Sequence, residues 1–219
     1  LAGGLTVGSK SAYPRLKKLA NLLPNFNCVL KTIESESDLL SIKDIYNSVL
    51  FIEPLQCTNG DLSINQNLIH SIKETQKLGL TIVADEIQAG YLSTGKFWSY
   101  EHYQLKPDIV VFGKKFQVCG CLIRSKYNNL FSSNQPKYFS STYDSSMIDM
   151  LRGTYFNEHL ITNYDYYSRR VNEISTLLSS YFKGKVDPKN IRINGLFFAI
   201  DFPTSTIRDK VTTTLFDEK

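Results

Sequence analysis

The sequence predicts an α/β fold in which a mostly parallel sheet is flanked by helices. Two apolar runs, residues 81–84 and 108–112, are short and bounded by turn residues, as are the buried strands of parallel sheets. A third run, residues 49–53, ends at Pro54, which has no N–H to donate to a sheet. Because a segment with helical spacing separates the run at 49–53 from the run at 81–84, the order indicates a βαβ unit.

The helix in this unit is predicted from the spacing of its apolar residues. They recur close to the helical period and share one face: Ile64, Leu68, Ile69, Ile72 and Leu78. Gly79 is a natural C-terminal stop. Ser37 with Asp38 predicts the cap of a shorter helix over residues 39–47. Farther along the chain, residues 119–123 are expected to extend the sheet as an antiparallel strand.

The C-terminal part of the chain is predicted to begin with a long helical region. Residues 147–181 carry apolar side chains at helical spacing. Residues 191–202 are expected to form a strand, and residues 208–216 a last helix. We place a domain boundary in the long helical region, which divides the chain into residues 1–160 and residues 161–219.

Composition argues against several classes of partner. The 219-residue chain has a net charge of +4 with scattered lysines, so no nucleic acid is expected. No apolar run approaches the roughly 18–20 residues that span a bilayer, so no membrane partner is expected. The cysteines and histidines lack the spacing of a metal site, and no metal is expected. Free thiols indicate the cytoplasm, and a mitochondrial location stays open because the sequence begins at Leu1 rather than at methionine.

An acid and a lysine at strand ends suggest chemistry. Asp85 follows residues 81–84 directly, and Lys114 follows residues 108–112 after Gly113. Ligands of open α/β sheets bind beyond the carboxyl ends of the strands, so both side chains are expected in one crevice. Lysine amines attack carbonyls when their pKa is lowered, and a buried carboxylate requires a cationic partner. Taken alone, the two residues are also consistent with a turn-forming aspartate and a solvated loop lysine.

Several segments, in order and at compatible spacings, resemble one family. Residues 112–120 (FGKKFQVCG) and 85–90 (DEIQAG) resemble class III (ω-) aminotransferases, which use pyridoxal 5′-phosphate, and the lysine 6- and then the 4-aminobutyrate types are nearest. The further matching segments are Thr94-Gly95, Pro107-Asp108, residues 51–56, residues 59–61, Ser141-Thr142 and residues 195–203. The resemblance implies a fold-type-I pyridoxal-phosphate transferase. Residues 1–160 would then be the later part of the large cofactor-binding domain, and residues 161–219 the linking helix and the start of a small α+β domain.

The resemblance also implies a role for individual residues. Lys114 would hold the cofactor aldehyde as a Schiff base, and it is preferred to Lys115 because it directly follows Phe-Gly. Asp85 would pair with the ring nitrogen and keep it protonated, which the ring needs as an electron sink. Gln88 would hydrogen-bond the 3′-oxygen of the cofactor. Glu53 would be the substrate gate of the lysine- and 4-aminobutyrate-type enzymes.

A pair of hydroxyl residues points to a second subunit. Ser141 and Thr142 resemble the family's phosphate-binding pair, whose threonine reaches the cofactor of the neighbouring subunit, so the resemblance implies a homodimer with the active site at its interface. The sequence departs from the family just beyond them. Tyr143, Asp144 and Ser145 stand where an aromatic residue and two glycines are common, and Asp144 brings a negative charge near a phosphate.

The implied reaction is transamination from an amino donor with a terminal amine, such as lysine, to a 2-oxo acid acceptor such as 2-oxoglutarate. Two family elements have no counterpart in the sequence: a Gly/Ser-rich helix start that cradles phosphate, and an aromatic–histidine–glycine stretch that stacks on the ring. The chain therefore resembles the middle-to-late part of an aminotransferase. Two alternatives stay open, namely a catalytically inactive interaction scaffold on the same fold and another pyridoxal chemistry such as that of an aminomutase.

Overall fold

The computed structural model describes residues 31–131 and 146–217. In chain order the helices and strands are α1 (Glu36–Leu40), β1 (Val49–Ile52), β2 (Leu55–Gln56), β3 (Leu62–Ser63), α2 (Gln66–Lys77), β4 (Thr81–Asp85), β5 (Ile109–Phe112), β6 (Gly120–Ile123), α3 (Met147–Thr162), α4 (Tyr164–Phe182), β7 (Ile191–Asn194), β8 (Phe197–Ile200) and α5 (Ser205–Asp217). Short 3₁₀ helices join several of them, and these are Cys57–Asn59, Ser99–Tyr103, Lys114–Phe116, Ser125–Phe131 and Pro188–Asn190.

Over the described residues the main sheet has the strand order β1-β4-β5-β6. β1, β4 and β5 run parallel to one another, whereas β6 pairs antiparallel with β5. The parallel βαβ arrangement and the antiparallel last strand predicted from the sequence are therefore confirmed. The register pairs Ile52 with Ala84 and Asp85 with Val111, so the chain leaves β1, β4 and β5 along one edge.

The core lies between α2 and the sheet, and aliphatic side chains fill it. Its buried members include Leu39, Leu50, Ile52, Ile64, Ile69, Ile72, Leu80, Ile82, Ala84 and Leu105. Burial of each large aliphatic side chain contributes about 1.5–3 kcal/mol, so this core holds the carboxyl ends of the strands in a fixed position. The predicted helix is confirmed as α2. It begins after Asn65, whose side chain accepts a hydrogen bond from the Asn67 N–H, and it stops before Gly79, which has a φ of +108°.

The first helix differs from its prediction. α1 covers Glu36–Leu40 rather than residues 39–47, and its cap is Ser35 rather than Ser37. The Ser35 hydroxyl accepts a hydrogen bond from the Asp38 N–H, and the Asp38 carboxylate accepts one from the Ser35 N–H at 2.9 Å. This reciprocal capping box places Asp38 inside the first turn, so the helix starts earlier than the predicted cap would allow.

The predicted strand at 191–202 is also wrong in detail, because it is a hairpin of β7 and β8. Asn194 pairs with Phe197, so Gly195 and Leu196 form the turn, and Gly195 has a φ of +65°. A glycine in a two-residue hairpin loop adopts a positive φ without steric cost, and Gly195 marks the reversal that the prediction missed.

The hairpin and α4 are tied to the sheet body by polar contacts. The Leu196 N–H donates to the Ser93 carbonyl at 2.9 Å, and the Ser168 hydroxyl donates to the Gly95 carbonyl at 2.7 Å. The long helical region is broken at Asn163, close to the predicted boundary between residues 1–160 and 161–219. That division into domains stays a prediction. In the two described stretches, the helices are all too short or too polar to cross a membrane.

Candidate active site

Three of the predicted site residues lie at the carboxyl edge of the sheet. Glu53 follows β1, Asp85 is the last residue of β4, and Lys114 opens the 3₁₀ turn after β5. Because these strands are adjacent and parallel, their ends lie side by side. Asp85 is close enough to Glu53 and Lys114 for both charges to act on its carboxyl group. Parallel pairing therefore gathers an acid from each of two strands and an amine from the third.

Asp85 is a buried carboxyl group, with only 8% of its surface exposed. Burial raises its pKa to about 6; the Glu53 charge adds to the rise, and the Ile87 N–H and Lys114 oppose it. Its Oδ1 accepts a hydrogen bond from the Ile87 N–H at 3.0 Å. Among the residues that the structure describes, Asp85 forms no ion pair. A charged carboxylate in this position would gain from a cationic partner.

Glu86, the next residue, is buried at 2% exposure and has a structural partner. Its carboxylate accepts hydrogen bonds from the Ser99 hydroxyl and from the Ser99 and Tyr100 N–H groups, at 2.8–3.0 Å. It therefore caps the 3₁₀ helix Ser99–Tyr103. Burial raises the pKa of Glu86 to about 7. Sequence reasoning missed this role, although an acid directly after a buried strand was the available signal.

The turn after Glu86 brings Gln88 to Lys114. The Gly90 N–H donates to the Glu86 carbonyl at 3.0 Å, which gives the turn a helical shape. The Lys114 Nζ then donates to the Gln88 Oε1 at 2.8 Å. Lys114 is exposed, so its amine faces the open edge of the sheet.

The backbone at Lys114 is in an unusual conformation. Its φ is +51°, in the left-handed region that residues with a side chain enter at a steric cost. The preceding Gly113 leaves no room for a side chain, since a Cβ there would lie 2.9 Å from the Cys119 Sγ. Outliers of this kind cluster at functional sites. The close approach at Gly113 and the left-handed turn together set where the lysine emerges.

Lys115 points to different partners. Its half-buried ammonium group donates to the Gln88 carbonyl and to the Ser93 hydroxyl, and it lies 5.1 Å from the centre of the Phe197 ring. Burial lowers the pKa of Lys115. Sequence reasoning set Lys115 aside as the neighbour of Lys114 and did not foresee these contacts.

Cys57 is a thiol close to these charged groups. Burial raises its pKa to about 12, and Asp61 and Glu53 add to the rise. At neutral pH it is therefore a protonated thiol rather than a nucleophile. It donates a weak hydrogen bond to the Leu55 carbonyl, with a sulfur–oxygen distance of 3.6 Å.

Aromatic side chains pack together next to the turn at Lys114. The Phe116 ring stacks on Trp98 with centroids 5.2 Å apart and planes 8° apart, and it lies 4.7 Å from the Phe112 ring. Tyr100 and Tyr103 pack against the core beside the sheet. Packed rings therefore flank Lys114 in the sequence, at Phe112 on β5 and at Phe116 in the turn.

Two predicted residues, Ser141 and Thr142, lie outside the described residues, as does Asp144. Within residues 31–131 and 146–217, no three or more His, Cys, Asp or Glu side chains are grouped so as to hold a metal ion. The candidate site is thus Asp85, Gln88 and Lys114, with Glu53 beside them.

Known proteins are similar to this chain in sequence and in fold. Residues 16–218 match the model of the family described as aminotransferase class-III. The chain is 32% identical over 173 residues to 4-aminobutyrate aminotransferase of Dictyostelium discoideum, which covers 74% of this chain and 33% of that protein. It is 26% identical over 232 residues to L-lysine-epsilon aminotransferase of Streptomyces clavuligerus, which covers 95% of this chain and 49% of that protein.

A solved structure is also similar to this chain. Lysine aminotransferase from M. tuberculosis in the internal aldimine form matches with a TM-score of 0.65 and 26% identity, over 78% of this chain and 40% of that one. The chain spans a third to a half of the length of the two curated relatives.

Proposed function

Because the chain belongs to the class-III aminotransferase family, we propose that this protein transfers a terminal amino group from a lysine-like donor to a 2-oxo acid such as 2-oxoglutarate. Family membership confirms the resemblance seen in the sequence and the pyridoxal-phosphate transferase fold. Class-III aminotransferases depend on pyridoxal 5′-phosphate, which is therefore the cofactor. The observation that carries the proposal is the convergence of Asp85, Gln88 and Lys114 on one edge of the sheet.

The residues at this edge fit the cofactor. Asp85 is a buried carboxyl group that forms no ion pair with the described residues, and a protonated pyridine nitrogen would supply a direct cationic partner. Such a cation would lower the pKa of Asp85 again and keep the carboxylate charged. Gln88 offers an amide for the 3′-oxygen, and Lys114 offers the amine for the aldehyde. When bound, pyridoxal 5′-phosphate supplies an electron sink for the substrate carbon that bears the amine.

Lys114 is proposed as the catalytic base and acid. Its Nζ would take the proton from the amine-bearing carbon of the substrate and return a proton later in the reaction. The contacts favour Lys114 over Lys115 for this role. Lys114 is exposed at the edge and bonded to one amide oxygen, whereas the Lys115 ammonium is held by a carbonyl and a hydroxyl in a half-buried position.

The substrate preference rests on charge and on the relatives. Glu53 and Asp85 place two carboxyl groups at the site. Their negative charge favours a substrate that brings a cationic amine to the site over one that brings an anionic group there. The two relatives are named for 4-aminobutyrate and for the ε-amine of lysine, and both donors carry a terminal amine. We therefore propose Glu53 as the gate that selects such donors.

A homodimer is part of the proposal. Ser141 and Thr142 are proposed to bind the phosphate of the partner's cofactor, as the resemblance implies. Helix α3 follows shortly after them and exposes a run of large apolar side chains, namely Met147, Ile148, Met150 and Leu151. Apolar patches of this kind mark interfaces, and the proposed contact between subunits therefore includes α3.

The test is reconstitution of the purified protein with pyridoxal 5′-phosphate. We expect an absorbance band from the bound cofactor, and after borohydride reduction peptide mapping should find the label on Lys114. Lys114→Ala should lose both the label and at least 100-fold of the amino-transfer rate from lysine to 2-oxoglutarate. Lys106→Ala removes an exposed lysine from the same body and is the control. A label on Lys115, or no label in the wild type, would overturn the assignment.

A further inference from the structure

Lys115 joins three separate segments of the chain. Its Nζ donates to the carbonyl of Gln88 and to the hydroxyl of Ser93, and it faces the ring of Phe197 on β8. The contacts come from the turn after β4, from the loop that follows it, and from the C-terminal hairpin. A single ammonium group thus ties the sheet edge to the hairpin.

Gln88 is held from both of its ends. Lys114 donates to its side-chain Oε1 at 2.8 Å, while Lys115 donates to its main-chain carbonyl. A rotation of the turn that swings the Gln88 amide away from Lys114 would also pull its carbonyl away from Lys115. The second lysine therefore limits how far the amide can move relative to the first.

Ser93 carries the connection on to the hairpin. Its hydroxyl accepts from Lys115 and donates to the Gly90 carbonyl at 3.1 Å, and its own carbonyl accepts from the Leu196 N–H at 2.9 Å. Ser93 is buried, so these bonds are shielded from water. The path from Lys115 to the hairpin is therefore a chain of direct hydrogen bonds.

We propose that Lys115 is a positioning residue that fixes the Gln88 turn against Lys114 and anchors both to the C-terminal hairpin. The proposal rests on the proposed function in so far as Lys114 is the reacting amine. The charged or titratable groups that act on Lys115 are Cys57, Lys114 and Glu86. Burial is the largest influence and lowers the pKa of Lys115, so its anchoring ammonium is lost at a lower pH than for an ordinary lysine.

The first experiment follows amide hydrogen exchange of residues 87–95 in the protein without added cofactor. Lys115→Met keeps the length of the side chain but removes its donors, and we expect exchange in this segment to become about tenfold faster. Lys115→Arg keeps a cation with several donors and should restore most of the protection. Lys106→Met, at an exposed position, should leave it unchanged.

The second experiment measures how fast pyridoxal 5′-phosphate becomes trapped on Lys114 in the presence of borohydride, as a function of pH. Lys115→Met should slow trapping by about tenfold at neutral pH, and Lys115→Arg should restore it. In the wild type, protection of residues 87–95 should decline at alkaline pH as the Lys115 ammonium loses its proton. In Lys115→Arg that decline should move to higher pH, because arginine stays protonated.

The outcomes separate this proposal from the proposed function. Unchanged exchange in Lys115→Met, or no rescue by Lys115→Arg in a protein with the wild-type melting temperature, would overturn the positioning role. If Lys115→Met does not fold, Ser93→Ala removes one acceptor while keeping the lysine, and an unchanged exchange rate in that variant would overturn it equally. A wild type that never traps cofactor on Lys114 would refute the proposed function, whereas the exchange comparison would still decide whether Lys115 holds the turn.

Discussion

Replacing Asp85 with asparagine is expected to stabilise the cofactor-free protein and to weaken its hold on the cofactor. The side chain is 8% exposed, and burial raises its pKa from 3.8 to about 6. That difference corresponds to about 3 kcal/mol against the charged form in the folded state, as an upper bound. Asparagine carries no charge, and its carbonyl oxygen can still accept the hydrogen bond from the Ile87 N–H.

The sign follows from proton linkage. The folded state holds the Asp85 proton more tightly than the unfolded state, so the favourable contribution of the protonated group is complete below pH 3.8 and is lost as the pH rises through about 6. At pH 8, Asp85→Asn should therefore have a free energy of unfolding in urea about 1–3 kcal/mol higher than that of the wild type. The difference should shrink as the pH falls through 6 toward 4.

For cofactor binding we expect the opposite order, with the wild type superior to Asp85→Asn. If Asp85 pairs with the protonated ring nitrogen, Asp85→Asn should bind pyridoxal 5′-phosphate about 10–100-fold more weakly in an absorbance titration at pH 8. Glu158→Gln removes one negative charge from an exposed site and should change neither quantity. An Asp85→Asn protein that is less stable at pH 8 and binds the cofactor as tightly as the wild type would refute the proposed role of this carboxylate.

Two further substitutions test the packing that holds the site. Gly195→Ala should destabilise the protein by about 2–4 kcal/mol in urea unfolding, because the new Cβ would lie 2.4 Å from the Ser93 carbonyl oxygen at a positive φ. Gly184→Ala, the control, is also at positive φ but has open space around it, and it should cost only about 1 kcal/mol. Equal losses in the two variants would show that the hairpin contact is unimportant. Glu86→Ala should lower the free energy of unfolding by about 2–4 kcal/mol in the same measurement, because it leaves the buried donors at the start of the 3₁₀ helix Ser99–Tyr103 without an acceptor. A loss below about 0.5 kcal/mol would contradict that account.

The sheet could be predicted because its signals are local. The strands at β1, β4 and β5 are short apolar runs between turn residues, and Gly79 marks the end of α2 as expected. The boundaries of α1 were missed because two serines lie close together, and only the reciprocal bonds of Ser35 and Asp38 decide between them.

The candidate site could be predicted only in part. The strand-end positions of Asp85 and Lys114 follow from the sequence and the parallel sheet. The orientation of Gln88 depends on contacts between residues far apart in the chain, such as Glu86 with Ser99 and Lys115 with Phe197. Spacing along the chain carries no information about such pairs, so the resemblance supplied the residue roles and the structure supplied their arrangement.

The left-handed backbone at Lys114 has a consequence for protein engineering. Glycine would adopt a φ of +51° with less steric conflict than lysine does, so glycine at 114 would relax the turn. A library screened only for resistance to heat should therefore enrich glycine at the position that carries the proposed chemistry. Any effort to increase the thermostability of this protein would therefore need a selection for amino-transfer activity together with the selection for heat resistance.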